Sequence, residues 1–172
     1  MNIFTGIIES RPGLIDSLAP DVSGIHAAYT RPHKLIDLLT LLKGEGYVML
    51  KDMNAVDMLG MKDIPGDAEN RFFVYYLLYA PAAKQHCIVK VMLNDREDIP
   101  SVSGLWCGAN WQERQIFDMF GIVFSDHPAL TRIIMMNGFE GHPLRKDFPI
   151  TGGNGLALIK DILLPDPVDP GR

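Results

Sequence analysis

The chain has 172 residues, 47% of them hydrophobic and 22% charged, which is enough for one domain whose core needs neither disulfides nor metal. A net charge of −5 with no Lys/Arg block argues against nucleic acid as a partner. No apolar run approaches the roughly 20 residues that cross a bilayer, and the N-terminus lacks the basic, long-apolar, small-residue order of a signal peptide. The chain is expected to be soluble and cytoplasmic, and to reach a membrane only if another protein holds it there.

Residues 1–29 mix short apolar pairs with Gly and Pro and show no sustained period, so they read as an irregular arm. A helix is expected from Thr30, with Thr30 as N-cap and Pro32 in the first turn. Leu35, Leu38, Leu39 and Leu42 form its apolar stripe, and Gly44 or Gly46 ends it. Tyr47–Met53 fits a strand. Asp57–Asp67 reads as a loop with Pro65-Gly66 as its turn marker. Arg71–Tyr79 is aromatic and β-branched on both faces, the pattern of a strand inside a sheet. After a connection of hairpin length at Pro81–Gln85, His86–Leu93 alternates. Cys87, Val89, Val91 and Leu93 fall on one side and Lys90 on the other. No internal repeat and no βαβ alternation is visible. Cys87 and Cys107 share no CxxC spacing and read as two buried free thiols in a reducing compartment.

Residues 110–149 concentrate the ionisable groups. Asn110 and Glu113 have the spacing of a capping box, with Gly121 as the C-terminal glycine, so a helix Trp111–Phe120 is expected to bury Ile116, Phe117 and Phe120. Arg114 and Asp118 stand four apart on one helix face. That spacing allows either a solvated pair or an Arg114 aimed at a carboxylate of another subunit. A short strand Ile122–Phe124 leads to His127, whose direction Pro128 fixes. Arg132 then precedes an apolar run, and Glu140, Gly141, His142, Pro143, Leu144, Arg145, Lys146 and Asp147 close the segment. His127 and His142 belong to no HExxH or HxH pattern. Glu140, His142 and Asp147 could serve a hydrolase as acid and base, but no nucleophile motif or phosphate loop accompanies them. The preferred reading is a rigid loop of fixed charges that pair within the fold and across an interface. After Pro149 the chain becomes Gly-rich, then apolar over Leu156–Leu164. It ends in Asp-Pro pairs that favour an extended tail.

The segments NWQERQIFDMFGI, SDHPALTR and FEGHPLRKDFP resemble the 30-kDa-type subunit of respiratory complex I, also called the C subunit of NADH-quinone oxidoreductase. The resemblance is strong over residues 100–152 and weaker but in register over Leu50–Asp57, Arg71–Tyr79 and His86–Leu93. Glu113, Arg114, Asp118 and His127 carry its first motif. Glu140, His142, Pro143, Arg145, Lys146 and Asp147 carry the second, and Arg132 stands between them.

The resemblance implies an α/β (α+β) domain over 30–150, with a small mixed or antiparallel sheet of three to four strands and helices packed on it. An irregular arm 1–29 and a Pro-rich tail 151–172 flank it. It further implies a non-catalytic subunit with no flavin, iron–sulfur cluster, quinone or metal of its own. Such a subunit belongs to the hydrophilic arm of a membrane-associated, proton-translocating complex on the cytoplasmic side of the cell membrane. Its partners would be the large quinone-site subunit and a neighbouring iron–sulfur subunit. NAD, flavin, quinone and iron–sulfur clusters would lie in those partners, and the motif residues would form the interface. Gln115, Asp126, Ala129 and Thr131 replace residues usual in the family. These departures leave room for the related subunit of membrane-bound energy-converting hydrogenases, beside a nickel–iron large subunit.

Overall fold

The computed structural model describes residues 3–22, 24–61, 70–136 and 138–151. Two helices and five strands come before the charged segment: α1 Ile3–Ser10, β1 Ser17–Val22, β2 Ile25–Thr30, α2 Leu35–Gly44, β3 Met49–Asp57, β4 Asn70–Ala80 and β5 Gln85–Asn94. A short β6 Ile99–Pro100, α3 Ala109–Phe120 and β7 Phe124–Ser125 follow. The five long strands make one mixed sheet in the order β1-β2-β5-β4-β3, while β6 and β7 pair in parallel beside it.

The meander β3-β4-β5 matches the sequence reading. The alternation in β4 is complete: Phe72, Val74, Tyr76, Leu78 and Ala80 are buried, and the residues between them are half-exposed. Cys87, Val89, Val91 and Leu93 of β5 are fully buried on the same side. Leu35, Leu38, Leu39 and Leu42 of α2 are likewise fully buried and meet them in one continuous core, which also takes Phe4 and Ile7 of α1 and Ile116 and Phe120 of α3. Each such side chain contributes roughly 1.5–3 kcal/mol on burial, so the sheet and its helices stand or fall together.

The fold is the expected mixed α+β class, but the main sheet has five strands where three to four were expected. Strands β1 and β2 span residues 17–30, so the irregular-arm reading is corrected for the described part. The buried positions of β2 include Ala27, Ala28 and Thr30, too small and too polar to register as an apolar alternation. Helix α1 spans only eight residues. Strand β2 pairs in parallel with β5, from His26 opposite Cys87 to Thr30 opposite Val91. Because β5 and β3 both run antiparallel to β4, β2 and β3 share a direction. Helix α2 therefore makes a crossover in the main sheet that the sequence had hidden, and α3 makes a second one between the parallel strands β6 and β7.

Thr30 is not the N-cap of α2. It ends β2, and its hydroxyl donates to Leu14 O at 2.7 Å. A 3-10 turn over Pro32–Lys34 intervenes before α2. Cys107 is exposed in the turn before α3, while Cys87 is buried, so only one thiol is where it was expected. The Pro65-Gly66 turn and the tail from residue 152 lie outside the described residues.

Candidate functional site

Helix α3 organises the charged segment. It begins at Ala109 rather than Trp111, because the chain is already winding. The amides of Leu105 and Trp106 donate to Val102 O, and that of Ala109 donates to Trp106 O. Asn110 therefore caps nothing with its side chain, and the capping box does not form. Gly121 ends the helix in the left-handed region at φ 75°, as the sequence required. The buried face includes Glu113, Ile116, Asp118, Met119 and Phe120, with Phe117 only partly covered.

Glu113 is fully buried. Its carboxylate accepts from Ser101 Oγ and from the Val102 amide, both at 2.6 Å. His127 Nε2 stands 3.7 Å from the same carboxylate and donates to Asn110 O at 3.2 Å, while Nδ1 accepts from the Ala129 amide at 3.0 Å. That accepting bond assigns the ring the Nε2–H tautomer. Glu113 and His127 thus clamp the loops at 101–103 and 126–129 onto α3. Burial pushes the Glu113 carboxyl above its ordinary value, against the bonds from Ser101 and Val102 and the nearby His127.

A raised folded-state value contributes stability that is full below the unfolded value and lost as pH rises through the folded one. Glu113→Ala leaves two donors without acceptors and is expected to cost roughly 1–3 kcal/mol. Glu113→Gln keeps one acceptor oxygen and sheds the buried charge, so it should cost less than Ala, and less at neutral pH than near pH 4. Thermal melts of the two variants at both pH values check this order.

Asp118 is the second hub, also fully buried. One carboxylate oxygen accepts from the amides of Ile133, Ile134 and Met135 at 3.1, 2.8 and 2.9 Å. The other accepts from Arg132 at 2.9 Å. Arg132 also donates to Gly141 O at 3.0 Å. The side-by-side pair Arg114–Asp118 does not form. Arg114 instead donates to Thr131 O and Thr131 Oγ1 at 3.0 and 2.9 Å and lies 5.0 Å over the Trp111 ring. His142 packs its ring against Gly121, with Nδ1 3.0 Å from Asp118 O and an edge contact to Phe117.

The third cluster joins the end of the second motif to the sheet. Arg145 donates to Asp95 at 2.6 Å and to Phe120 O at 3.3 Å. Arg71 reaches Asp147 at 2.7 Å, Asp95 at 3.1 Å and Asp57 at 3.2 Å. Both guanidinium groups lie over Phe72, and the Lys146 amide donates to Asp57 at 2.8 Å. For Asp57 burial is the largest influence, but Arg71 and the amides of Leu59 and Lys146 outweigh it and lower the carboxyl. Asp57, Arg71 and Asp95 were not singled out in the sequence. The signal was topological: the end of β3, the start of β4 and the end of β5 meet at one end of the antiparallel meander.

The motif residues Glu113, Arg114, Asp118, His127, Arg132, His142, Arg145 and Asp147 therefore all have partners inside the chain, and Glu140, on the exposed surface, is not free of partners either. His142 and Asp147 are committed to different partners, Asp118 O and Arg71, and are not arranged as an acid–base pair. Among the described residues no three His, Cys, Asp or Glu are grouped to hold a metal ion, and no helix is long and apolar enough to cross a membrane. Besides exposed polar residues such as Asp126, Glu140 and Lys146, the segment leaves three large apolar side chains exposed: Trp111 at 63%, Ile134 at 53% and Leu144 at 50%.

Residues 28–154 match the family model described as the 30 Kd subunit of respiratory-chain NADH dehydrogenase. Two relatives, each named as the C subunit of an NADH-quinone oxidoreductase, illustrate the likeness. The one from Chelativorans sp. (strain BNC1) is 44% identical over 124 residues, 72% of this chain and 60% of its own. The one from Paramagnetospirillum magneticum (strain ATCC 700264 / AMB-1) is 45% identical over 118 residues, 69% of this chain and 57% of its own. The chain thus spans about 60% of the length of these relatives. The trypsin-resistant fragment (1–134) of Nqo5 superposes with a TM-score of 0.64 at 26% identity, covering 76% of this chain and 100% of the fragment. A chain of a membrane-bound sulfane sulfur reductase, an archaeal respiratory membrane complex, gives 0.67 at 22% identity over 99% of this chain and 95% of its own. At that identity the likeness concerns the fold alone.

Proposed function

The chain belongs to the respiratory-chain NADH dehydrogenase 30 kDa subunit family, and from that premise we propose that it is a non-catalytic hydrophilic-arm subunit of a membrane-associated NADH-quinone oxidoreductase. It docks on the large quinone-site subunit beside an iron–sulfur subunit, on the cytoplasmic side of the membrane. It binds no cofactor itself, and NAD, flavin, quinone and iron–sulfur clusters lie in its partners. The observation that carries this reading is the internal pairing of the motif charges. Groups so committed hold a surface rigid rather than perform chemistry. Among the side chains left outside, Trp111, Ile134 and Leu144 suit the apolar centre of a permanent interface, and Glu140 and Lys146 its charged rim. The motif residues act as the scaffold of that interface, with Glu140 and the Arg114-Trp111 stack at its rim.

Purification through a tag on this chain in mild detergent tests the proposal. Recovery of a flavin subunit and a large quinone-site subunit in fixed stoichiometry is expected. A nickel–iron large subunit with hydrogen evolution would transfer the chain to an energy-converting hydrogenase, and absence of any partner would end both readings. Arg145→Ala, which unties the second motif from Asp95 and Phe120 O, is expected to reduce the amount of assembled complex more than turnover per assembled complex. Native gels with in-gel activity separate the two quantities. Normal assembly with lost turnover would assign Arg145 a direct part in the chemistry.

A further inference from the structure

The side of the sheet that faces away from α1, α2 and α3 does not have the composition of a solvated face. An antiparallel sheet with one wet side alternates apolar and polar residues. Here the outward residues of β4 are Phe73, Tyr75, Leu77 and Tyr79, all half-exposed and none part of the core. The registers continue the face across the neighbouring strands: Leu77 lies opposite Ile88, Tyr75 opposite Lys90, and Lys90 opposite Tyr29. This is the strand whose sequence predicted cover on both sides. Among the described residues, helices cover one side only; on the other, Ala27 and Met92 are buried but the side chains of β4 stay partly exposed.

Lys90 sits at the middle of this face, on the central strand. Its ammonium group lies 5.4 Å from the centre of the Tyr29 ring and 5.7 Å from that of Phe73. Among the described residues it makes no hydrogen bond and no ion pair. The nearby Asp52 carboxylate is occupied by the Tyr75 hydroxyl at 2.8 Å and Gln112 at 3.3 Å. Burial lowers the Lys90 value from its ordinary one, with no carboxylate to offset it. Ring faces recover part of the lost hydration of a cation. A carboxylate delivered in the same dry setting would recover far more.

We propose that this outward sheet face is a second docking surface, and that its occupant is an apolar surface of another subunit bearing an Asp or Glu that pairs with Lys90. The face has one central positive charge, so it is complementary to an acidic partner. It is not complementary to itself, because a two-fold dimer built on it would bring two Lys90 residues together. The inference rests on the reading of the chain as a subunit of a larger complex, but it uses the sheet face and Lys90 rather than the motif charges, the two regions meeting where Gln112 reaches Asp52.

A photoreactive benzoylphenylalanine in place of Leu77, in the tagged full-length chain in its own cells, tests it, with the same group in place of Ala83 in the exposed β4–β5 turn as control. The Leu77 probe is expected to form an adduct with an Asp- or Glu-bearing peptide of another subunit, and the Ala83 probe is not. Lys90→Glu should lower the adduct yield by about tenfold or more, Lys90→Arg should preserve most of it, and neither should change the melting temperature of the isolated chain appreciably. An adduct within the chain, an adduct with a second copy, no adduct from an assembled complex, or a yield indifferent to Lys90→Glu would each overturn the inference. An acidic adduct partner from a complex of another kind would instead overturn the proposed function and leave this surface standing.

Discussion

Asp118→Ala is expected to lower the melting temperature of the purified chain by roughly 6–20 °C, the conversion of about 3–5 kcal/mol for a chain of this size. The magnitude follows from what one carboxylate serves. Asp118 has no exposed surface, and its two oxygens accept three consecutive amides and one guanidinium group. Alanine would leave all four donors without this acceptor, in part-buried positions where water replaces it only poorly. Asp118→Asn is the sharper variant. Its shape is right, but it supplies one acceptor oxygen where two are used and turns an NH2 group toward donors, so it should recover only part of the loss. The pH dependence has a definite sign. Burial alone would raise the Asp118 carboxyl, but the amides of Met135, Ile134 and Ile133 and the charge of Arg132 hold it below its ordinary value. Such a group contributes stability above the unfolded value of about 3.9 and loses it as pH falls through the lower folded one. The difference between wild type and Asp118→Ala should therefore be widest near neutrality and narrow below about pH 4. A difference that stayed constant as pH fell well below that value would mean that Asp118 acts by shape rather than charge.

The parts of the molecule that were legible beforehand are those with long apolar periods. Leu35, Leu38, Leu39 and Leu42 announce α2, Cys87, Val89, Val91 and Leu93 announce β5, and Gly121 announces the end of α3. These signals are local, and local physics decides them. Strand β2 escaped because Ala27, Ala28 and Thr30 carry no contrast, and its parallel pairing with β5 depends on a crossover that no short window contains. The site shows the same division. Its ionisable residues were visible, and so was the idea that fixed charges pair within the fold. Their partners were not. Glu113 looked like half of a capping box because Asn110 stands three residues before it, yet the preceding turn starts the helix early and frees Glu113 to hold Ser101 and Val102. Arg114 and Asp118 have pairing distance in sequence, but Asp118 gains more from three amides and Arg132 than from an exposed neighbour worth a few tenths of a kcal/mol. Asp57, Arg71 and Asp95 become a site only when the sheet closes and brings three strand ends together. Sequence spacing identified which groups were held in common; topology decided which of them met.

Gly121→Ala should be nearly as damaging as Asp118→Ala, at about 2–4 kcal/mol, for two reasons that can be measured apart. The residue sits at φ 75°, a conformation that costs any side chain with a Cβ roughly 1–2 kcal/mol. A Cβ built there would also lie 2.6 Å from two atoms of the His142 ring. The ring cannot yield cheaply, since its Nδ1 is engaged with Asp118 O and its edge with Phe117. Moving it would pull on a segment whose next tie is the Leu144 amide on Met119 O. A double-mutant cycle separates the terms. In a His142→Ala background the steric term is gone, so Gly121→Ala should cost only the conformational part, leaving a coupling of roughly 1–2 kcal/mol. Gly121→Asn makes the complementary test, because Asn tolerates the left-handed region but still places a Cβ against the ring. It should be poorly accepted with His142 present and well accepted without it. Equal costs in the two backgrounds would show that the helix ends at Gly121 for its own sake, and that the second motif is held by Arg145 and Asp147 instead.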